Sequence, residues 1–239
     1  MLILKNINKY FPLEEGQFCA LNDVSLAIEK GECTIIAGAN GSGKSLLMSI
    51  IAGLEEPSSG TVDCKARVGL VFQEPDAQIL GETPREDIAF GPQNMGLSKT
   101  EIAKRVQSAL EQTGLADRAG FPARSLSGGE KRRLAAAGVL AMDAEIIIFD
   151  EPYANMDYPG VVQINRLLKK LIADGKTLII LTHELEKCLA LANRFIVLCK
   201  GKKVFDGAAS QALLCDLESW GIRHPLSSPA QKHEELVWL

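Results

Sequence analysis

The stretch Thr34-Ile35-Ile36-Ala37-Gly38-Ala39-Asn40-Gly41-Ser42-Gly43-Lys44-Ser45-Leu46-Leu47-Met48-Ser49-Ile50-Ile51 decides the fold. Its centre, Gly38 to Ser45, fits G-x-x-x-x-G-K-[ST]. An apolar strand-like run precedes it and an apolar helical run follows, which is the setting this pattern requires. The glycines let successive backbone N–H groups converge on phosphate oxygens, and the positive end of the following helix adds to the attraction. Asn40, Gly41, Ser42 and Gly43 therefore read as a phosphate cradle. Lys44 neutralises the β- and γ-phosphates, and Ser45 offers its hydroxyl to Mg2+. The expected ligands are ATP and Mg2+.

Outward from this loop, short β-rich runs alternate with helical patterns, the rhythm of an α/β protein with a mostly parallel sheet. The expected strands are Leu2–Ile7, Val24–Ile28, Thr34–Ala37, Val68–Phe72, Glu145–Phe149, Thr177–Leu181 and Phe195–Leu198. Ile146-Ile147-Ile148-Phe149 and Leu178-Ile179-Ile180-Leu181 are continuously apolar, as strands covered on both faces are. The first of these runs straight into Asp150 and Glu151. Two acids at the carboxyl end of a buried strand lie where α/β folds place their ligands. Asp150 is expected to hold Mg2+ and Glu151 to polarise the attacking water as general base.

A third signal is Leu126-Ser127-Gly128-Gly129-Glu130, opening the helical run Lys131–Leu140. A serine and two glycines at a helix start make a second anion cradle from a hydroxyl and bare N–H groups. This segment resembles the signature motif of ABC (ATP-binding cassette) ATPases, and the three motifs stand in that family's order. The resemblance runs from Leu2 to about Gly207 and implies an α/β P-loop NTPase core with an N-terminal antiparallel β portion and an inserted helical subdomain. It also implies a head-to-tail dimer in which the cradle of one subunit and the Ser127-Gly128-Gly129 turn of the next enclose each ATP. A homodimer and a heterodimer with a related subunit both satisfy this.

Further roles follow from the resemblance. Gln73 resembles the glutamine that contacts Mg2+ and links it to the helical subdomain. His183 resembles the switch histidine at the γ-phosphate, and Asp157 the aspartate of the dimer interface. Phe11 resembles the aromatic that stacks on adenine, with adjacent Tyr10 as its rival. One departure concerns Tyr153-Ala154-Asn155-Met156, where the family commonly has Thr or Ser after the Glu-Pro pair.

Phe72-Gln73-Glu74-Pro75-Asp76-Ala77-Gln78, followed by Glu86-Asp87-Ile88-Ala89-Phe90-Gly91-Pro92, resembles the cobalt/nickel and energy-coupling-factor ATPases. In that group this region receives coupling helices of an integral membrane transporter subunit, so the resemblance implies a motor driving vitamin or transition-metal uptake. The alternatives are an ABC ATPase of another transporter class, or a non-transport ABC ATPase of repair, chromosome organisation or translation. The first two of those carry long coiled coils between P-loop and signature, and the third carries two cassettes in one chain. A small-molecule kinase lacks the signature altogether.

Composition narrows the field further. The 239 residues carry a formal charge of −4, which speaks against a general nucleic-acid binder. The six cysteines form no CxxC pair and sit partly in apolar runs, as reduced thiols do. There is no signal-peptide pattern and no apolar run of membrane-spanning length, so the cytoplasmic face of a membrane is expected, with the span supplied by a partner.

The expected layout is one domain over 1–221, a helical insertion at about 76–140, and a polar tail over 222–239 ending Val237-Trp238-Leu239. Within the insertion, Ser98 and Glu101 read as a capping box. It opens a helix with apolar positions Ile102, Val106, Ala109, Leu110 and Thr113, closed by Gly114.

Overall fold

The computed structural model describes residues 1–226; the expected tail therefore lies mostly outside the described residues, Val237-Trp238-Leu239 included. Two sheets share one core. Strands β1 (Leu2–Pro12), β2 (Gln17–Ile28) and β4 (Ser59–Cys64) form an antiparallel sheet in the order β2-β1-β4. The second sheet comprises β3 (Cys33–Ala37), β5 (Val68–Val71), β6 (Ile146–Asp150), β7 (Thr177–Leu181), β8 (Arg194–Cys199) and β9 (Lys202–Gly207). Its order is β5-β6-β7-β3-β8-β9, parallel throughout except for β9 at its edge.

Strand alternation explains why the parallel sheet is apolar along its whole length. Ile146 and Ile148 face the antiparallel sheet and helix α1 (Lys44–Ile51), while Ile147 and Phe149 face α5 (Tyr158–Ala173). Each such side chain, fully withdrawn from water, stabilises the fold by about 1.5–3 kcal/mol. Two strands escape the sequence reading, β4 and β9. Both are exposed at alternate positions and rich in Lys, Asp, Ser and Gly, so neither shows an apolar run. β1 and β2 also extend well beyond their expected ends, into the hairpin that carries Tyr10, Phe11 and Phe18.

Helices α2 (Pro84–Asn94), α3 (Lys99–Thr113) and α4 (Gly128–Ala141) close a core of their own around Ile88, Val106, Leu110, Leu115 and Leu134. The opposite side of α4, with Ala135, Ala136 and Val139, packs on the parallel sheet. α4 is thus a member of both cores.

The expected box at the start of α3 forms by half. Ser98 Oγ accepts from the Glu101 N–H at 3.3 Å, but the Glu101 carboxylate turns to Arg105 Nε at 2.7 Å instead of reaching back. An ion pair one turn along competes for the same oxygens and wins. Ile222 is buried in the sheet core next to Leu217.

Candidate functional site

β3 delivers its chain end to the centre of the parallel sheet, and there the backbone must turn sharply. Gly38 has φ 153°, and a Cβ on it would stand 2.2 Å from the Leu198 carbonyl oxygen. Gly43, the N-cap of α1, has φ 100°, and its Cβ would strike Leu21 Cδ2 at 2.7 Å. Only glycine fits either place. Lys44 is 6% exposed, and its Nζ donates to the carbonyls of Gly38 at 2.7 Å and Ala39 at 3.1 Å. Burial lowers its pKa, while Glu151 and Asp150 act in the other direction.

The loop opens on a cavity of about 470 Å³ lined by Ala20, Asn40, Gly41, Gly43, Lys44, Ser45, Leu46, Gln73, Glu151 and His183. Residues from five separate segments meet here. Asp150 lies at the end of β6, where its carboxylate accepts from the Ser45 hydroxyl. Burial and the neighbouring Glu151 raise its pKa, and Lys44 and Ser45 offset part of that.

Glu151 is 8% exposed and holds φ 44°, a left-handed conformation rare outside glycine and costing about 1–3 kcal/mol. Its N–H donates to the Leu181 carbonyl on β7 at 2.9 Å. Glu151 Oε1 lies 3.0 Å from His183 Nδ1, whereas Oε2 is buried with no partner among the described residues. Ser42 Oγ is likewise buried and without a partner among the described residues. A hydroxyl, a hydroxyl-bonded carboxylate and a side-chain amide (Ser45, Asp150, Gln73) make a hard-oxygen donor set suited to a small divalent cation.

The second cradle stands apart from this cavity. Ser127 is the exposed N-cap of α4, and its box with Glu130 is complete. Glu130 Oε2 accepts from the Ser127 N–H at 2.8 Å and from its hydroxyl at 2.9 Å. Neither Ser127 nor Gly128 and Gly129 line the cavity.

Phe11 does not line it either. It sits half exposed on β1 opposite Phe18, with Lys9 Nζ 5.4 Å from its ring centroid, while Tyr10 pairs with Cys19 on the other face. Asp157 caps α5 by accepting from the Gly160 N–H at 2.9 Å. The unusual Tyr153 is buried, its hydroxyl donating to Asn165 Oδ1 at 2.7 Å, and Asn165 in turn donates to the Lys187 carbonyl at 2.7 Å.

Two polar side chains near the cavity hold structural contacts that the sequence reading did not assign to them. The Gln78 amide accepts from Phe72 N–H and donates to the Leu70 carbonyl, holding the turn after β5 in shape. Arg132 is buried beneath the cavity. Its sequence setting, the charged run Glu130-Lys131-Arg132-Arg133 at the start of α4, reads as a solvated helix face and hides the burial.

A family profile described as ABC transporter matches residues 21–154. The chain is 41% identical to the cobalt import ATP-binding protein CbiO of Rhodobacter capsulatus, over 88% of this chain and 81% of that one. It is 38% identical to the energy-coupling factor transporter ATP-binding protein EcfA of Methanococcus maripaludis, over 92% and 84%.

Among solved structures, it superimposes with TM-score 0.81 and 33% identity on cbiO1 of Clostridium perfringens, described as part of the ABC transporter complex cbiONQ. That match covers 91% of this chain and 92% of the other. A dimeric ATP-binding cassette in a post-hydrolysis state, bound to ADP and Pi, gives TM-score 0.78 and 31% identity, over 87% and 99%.

Proposed function

The chain belongs to the ABC transporter ATPase family, and from that premise we propose that it is the ATP-hydrolysing motor subunit of an importer of the energy-coupling-factor or cobalt type. The single observation that carries this reading is the convergence of Lys44, Gln73, Glu151 and His183 on one cavity at the mouth of the phosphate cradle. The relative named as a cobalt import protein supports a transition-metal ion as cargo, and the resemblance of the Phe72–Gln78 region to energy-coupling-factor ATPases keeps a vitamin as the other candidate. No helix among the described residues is long and apolar enough to cross a membrane. The subunit then works as a peripheral protein at the cytoplasmic face, on an integral membrane partner. The matching dimeric cassette supports a dimer, either of two copies or with a related subunit. Residues 1–221 act as a single ATPase domain with its helical part inserted at about 76–140.

In this reading the loop from Asn40 to Gly43 holds the β-phosphate through backbone N–H groups, and Lys44 neutralises the β- and γ-phosphates. Ser45, Asp150 and Gln73 hold Mg2+, which supplies charge neutralisation for the transferred phosphoryl group. Glu151 accepts a proton from the attacking water as its oxygen bonds to the γ-phosphorus. The bond to the ADP oxygen breaks, leaving ADP and phosphate. The unpartnered Glu151 Oε2 is the oxygen free for that proton, since Oε1 is engaged with His183. His183 orients Glu151 and the γ-phosphate, and Phe11 provides the face on which adenine stacks. Ser127, Gly128 and Gly129 complete the pocket from the neighbouring subunit, so ATP closes the dimer and hydrolysis releases it.

The test is Glu151→Gln. ATP binding persists, hydrolysis falls roughly 10²- to 10⁴-fold, and sizing chromatography detects a dimer only with ATP. A variant that loses hydrolysis yet stays monomeric in saturating ATP, both alone and with the subunits that co-purify with it, breaks the reading.

A further inference from the structure

We propose that Arg132 is a positioning residue for ATP hydrolysis, a buried bracket that fixes the Gln73 loop and the Glu151 loop in one mutual register. The inference rests on the hydrolytic reading above. α4 starts at the Ser127 turn, and a single turn later it sends Arg132 inward, where 4% of the residue remains exposed. Its Nη1 donates to the carbonyls of Pro152 and Ala154, each at 3.0 Å, and its Nη2 donates to the carbonyl of Gln73. Pro152 directly follows Glu151, and Gln73 and Glu151 line the same cavity.

The two loops leave neighbouring parallel strands, since β5 and β6 pair from Val68↔Ile146 to Val71↔Phe149. Beyond those strands the ladder ends, and Arg132 joins the loops through their backbones. The adjacent Lys131 adds a second tie, its Nζ lying 2.6 Å from Asp76 Oδ1.

Physical chemistry gives this arrangement a purpose. A guanidinium inside a protein is costly, and this one directs Nη1 and Nη2 at backbone carbonyls while its buried Nε has no partner among the described residues. Those carbonyls flank the one catalytic candidate with a strained backbone, Glu151 at φ 44°, and such a conformation persists only where its surroundings over-determine it. The Ala154 N–H closes the turn onto the Glu151 carbonyl at 3.2 Å, and Arg132 grips that turn just beyond it. Because Arg132 rides on the helix that the signature turn opens, a shift of that helix moves Gln73 and Glu151 together. That is a route by which engagement of Ser127 reaches the water-activating carboxylate.

The experiment compares Arg132→Met and Arg132→Lys with Arg194→Met, in the full chain together with whatever subunits co-purify with it. Arg194 also crosslinks several elements, bonding Asp206 at 2.6 Å and the Ala27 carbonyl, but far from the cavity. A positioning role predicts that R132M lowers kcat roughly 10- to 100-fold while Kd for ATP stays within about twofold. Lysine restores part of the loss, because an ammonium reaches one carbonyl of the three. R194M lowers the thermal midpoint and keeps kcat.

The inference is overturned if R132M and R132K keep full kcat. It is also overturned if their kcat falls only as far as that of R194M, or if Kd for ATP rises in step with the loss. Should R132M fail to fold, the kcat and Kd of R132K decide. Hydrolysis by the parent protein that survives Lys44→Ala would count against the hydrolytic reading itself and not against the bracket.

Discussion

The two glycine-rich turns of this chain look alike in sequence and differ in almost every physical respect. Each places a serine and glycines at the start of a helix, where backbone N–H groups point outward. The turn from Gly38 to Ser45 is built into the protein: Lys44 and Ser42 are buried, Gly38 and Gly43 have no room for a Cβ, and Ser42 Oγ has no partner among the described residues. The turn from Ser127 to Gly129 stands at the surface, and Glu130 already occupies the Ser127 N–H and hydroxyl. A cradle with unsatisfied buried donors is set to grip an anion at once. On the proposed reading, a cradle capped by its own carboxylate binds by exchange and waits for a neighbour to bring the phosphate. The difference suits a machine in which one turn binds nucleotide and the other senses it.

The largest test of that contrast is Lys44→Ala against Ser127→Ala. Removing Lys44 should weaken ATP binding by about 100-fold or more, measured by titration calorimetry, since a charge-assisted contact to two phosphates is lost in a partly dry site. Ser127→Ala should leave Kd of the isolated chain unchanged and lower hydrolysis by about 100-fold in the dimer. Equal loss of binding in both variants would erase the distinction. Loss of the cap itself should cost about 1 kcal/mol of stability.

Next in size is the response to a single added methyl group. Gly43→Ala should destabilise by about 1–3 kcal/mol in chemical denaturation, because φ 100° and the contact with Leu21 both oppose it. Gly128→Ala meets nothing within 4 Å and has ordinary φ, so its stability should stay within about 0.5 kcal/mol of the parent. Comparable losses would show the signature turn to be as rigid as the P-loop.

The smallest effect concerns acid. The Ser127 N–H holds the Glu130 carboxyl below its ordinary value of 4.5. Partial burial opposes this, and the Ser127 hydroxyl, Arg118 and Arg133 reinforce it. A depressed folded-state pKa adds stability that is complete above the unfolded value and disappears as pH falls through the folded one. Thermal midpoints of the parent and Glu130→Ala should therefore differ above pH about 4.5 and converge in more acidic buffer. Solvent screening keeps the gap small. A gap that widens towards acid would refute the carboxylate cap.

Much of the site was readable without coordinates because its parts are short and local. Gly38 to Ser45 announces a cradle through residue types whose backbone demands are strict, and Ile146 to Glu151 announces a buried strand ending in acids. Strands β4 and β9 stayed hidden because an edge strand need not be apolar, and the Ser98 box was misread because spacing does not say which partner a carboxylate prefers. Arg132 was invisible as a functional residue for the same reason. Its partners are carbonyls, which every residue carries, lying 20, 22 and 59 positions away.

By itself, then, the sequence determined the two glycine-rich turns at helix starts, the paired acids, and an α/β core able to bury its apolar strands on both faces. Those properties depend on a few consecutive residues and on backbone sterics that act within a turn. The tertiary structure alone decided that Glu151 meets His183 at 3.0 Å across 32 positions, that Ser127 stays outside the cavity, and that one arginine spans the Gln73 and Glu151 loops. Such contacts depend on strand order and register in a six-stranded sheet, which no local pattern encodes.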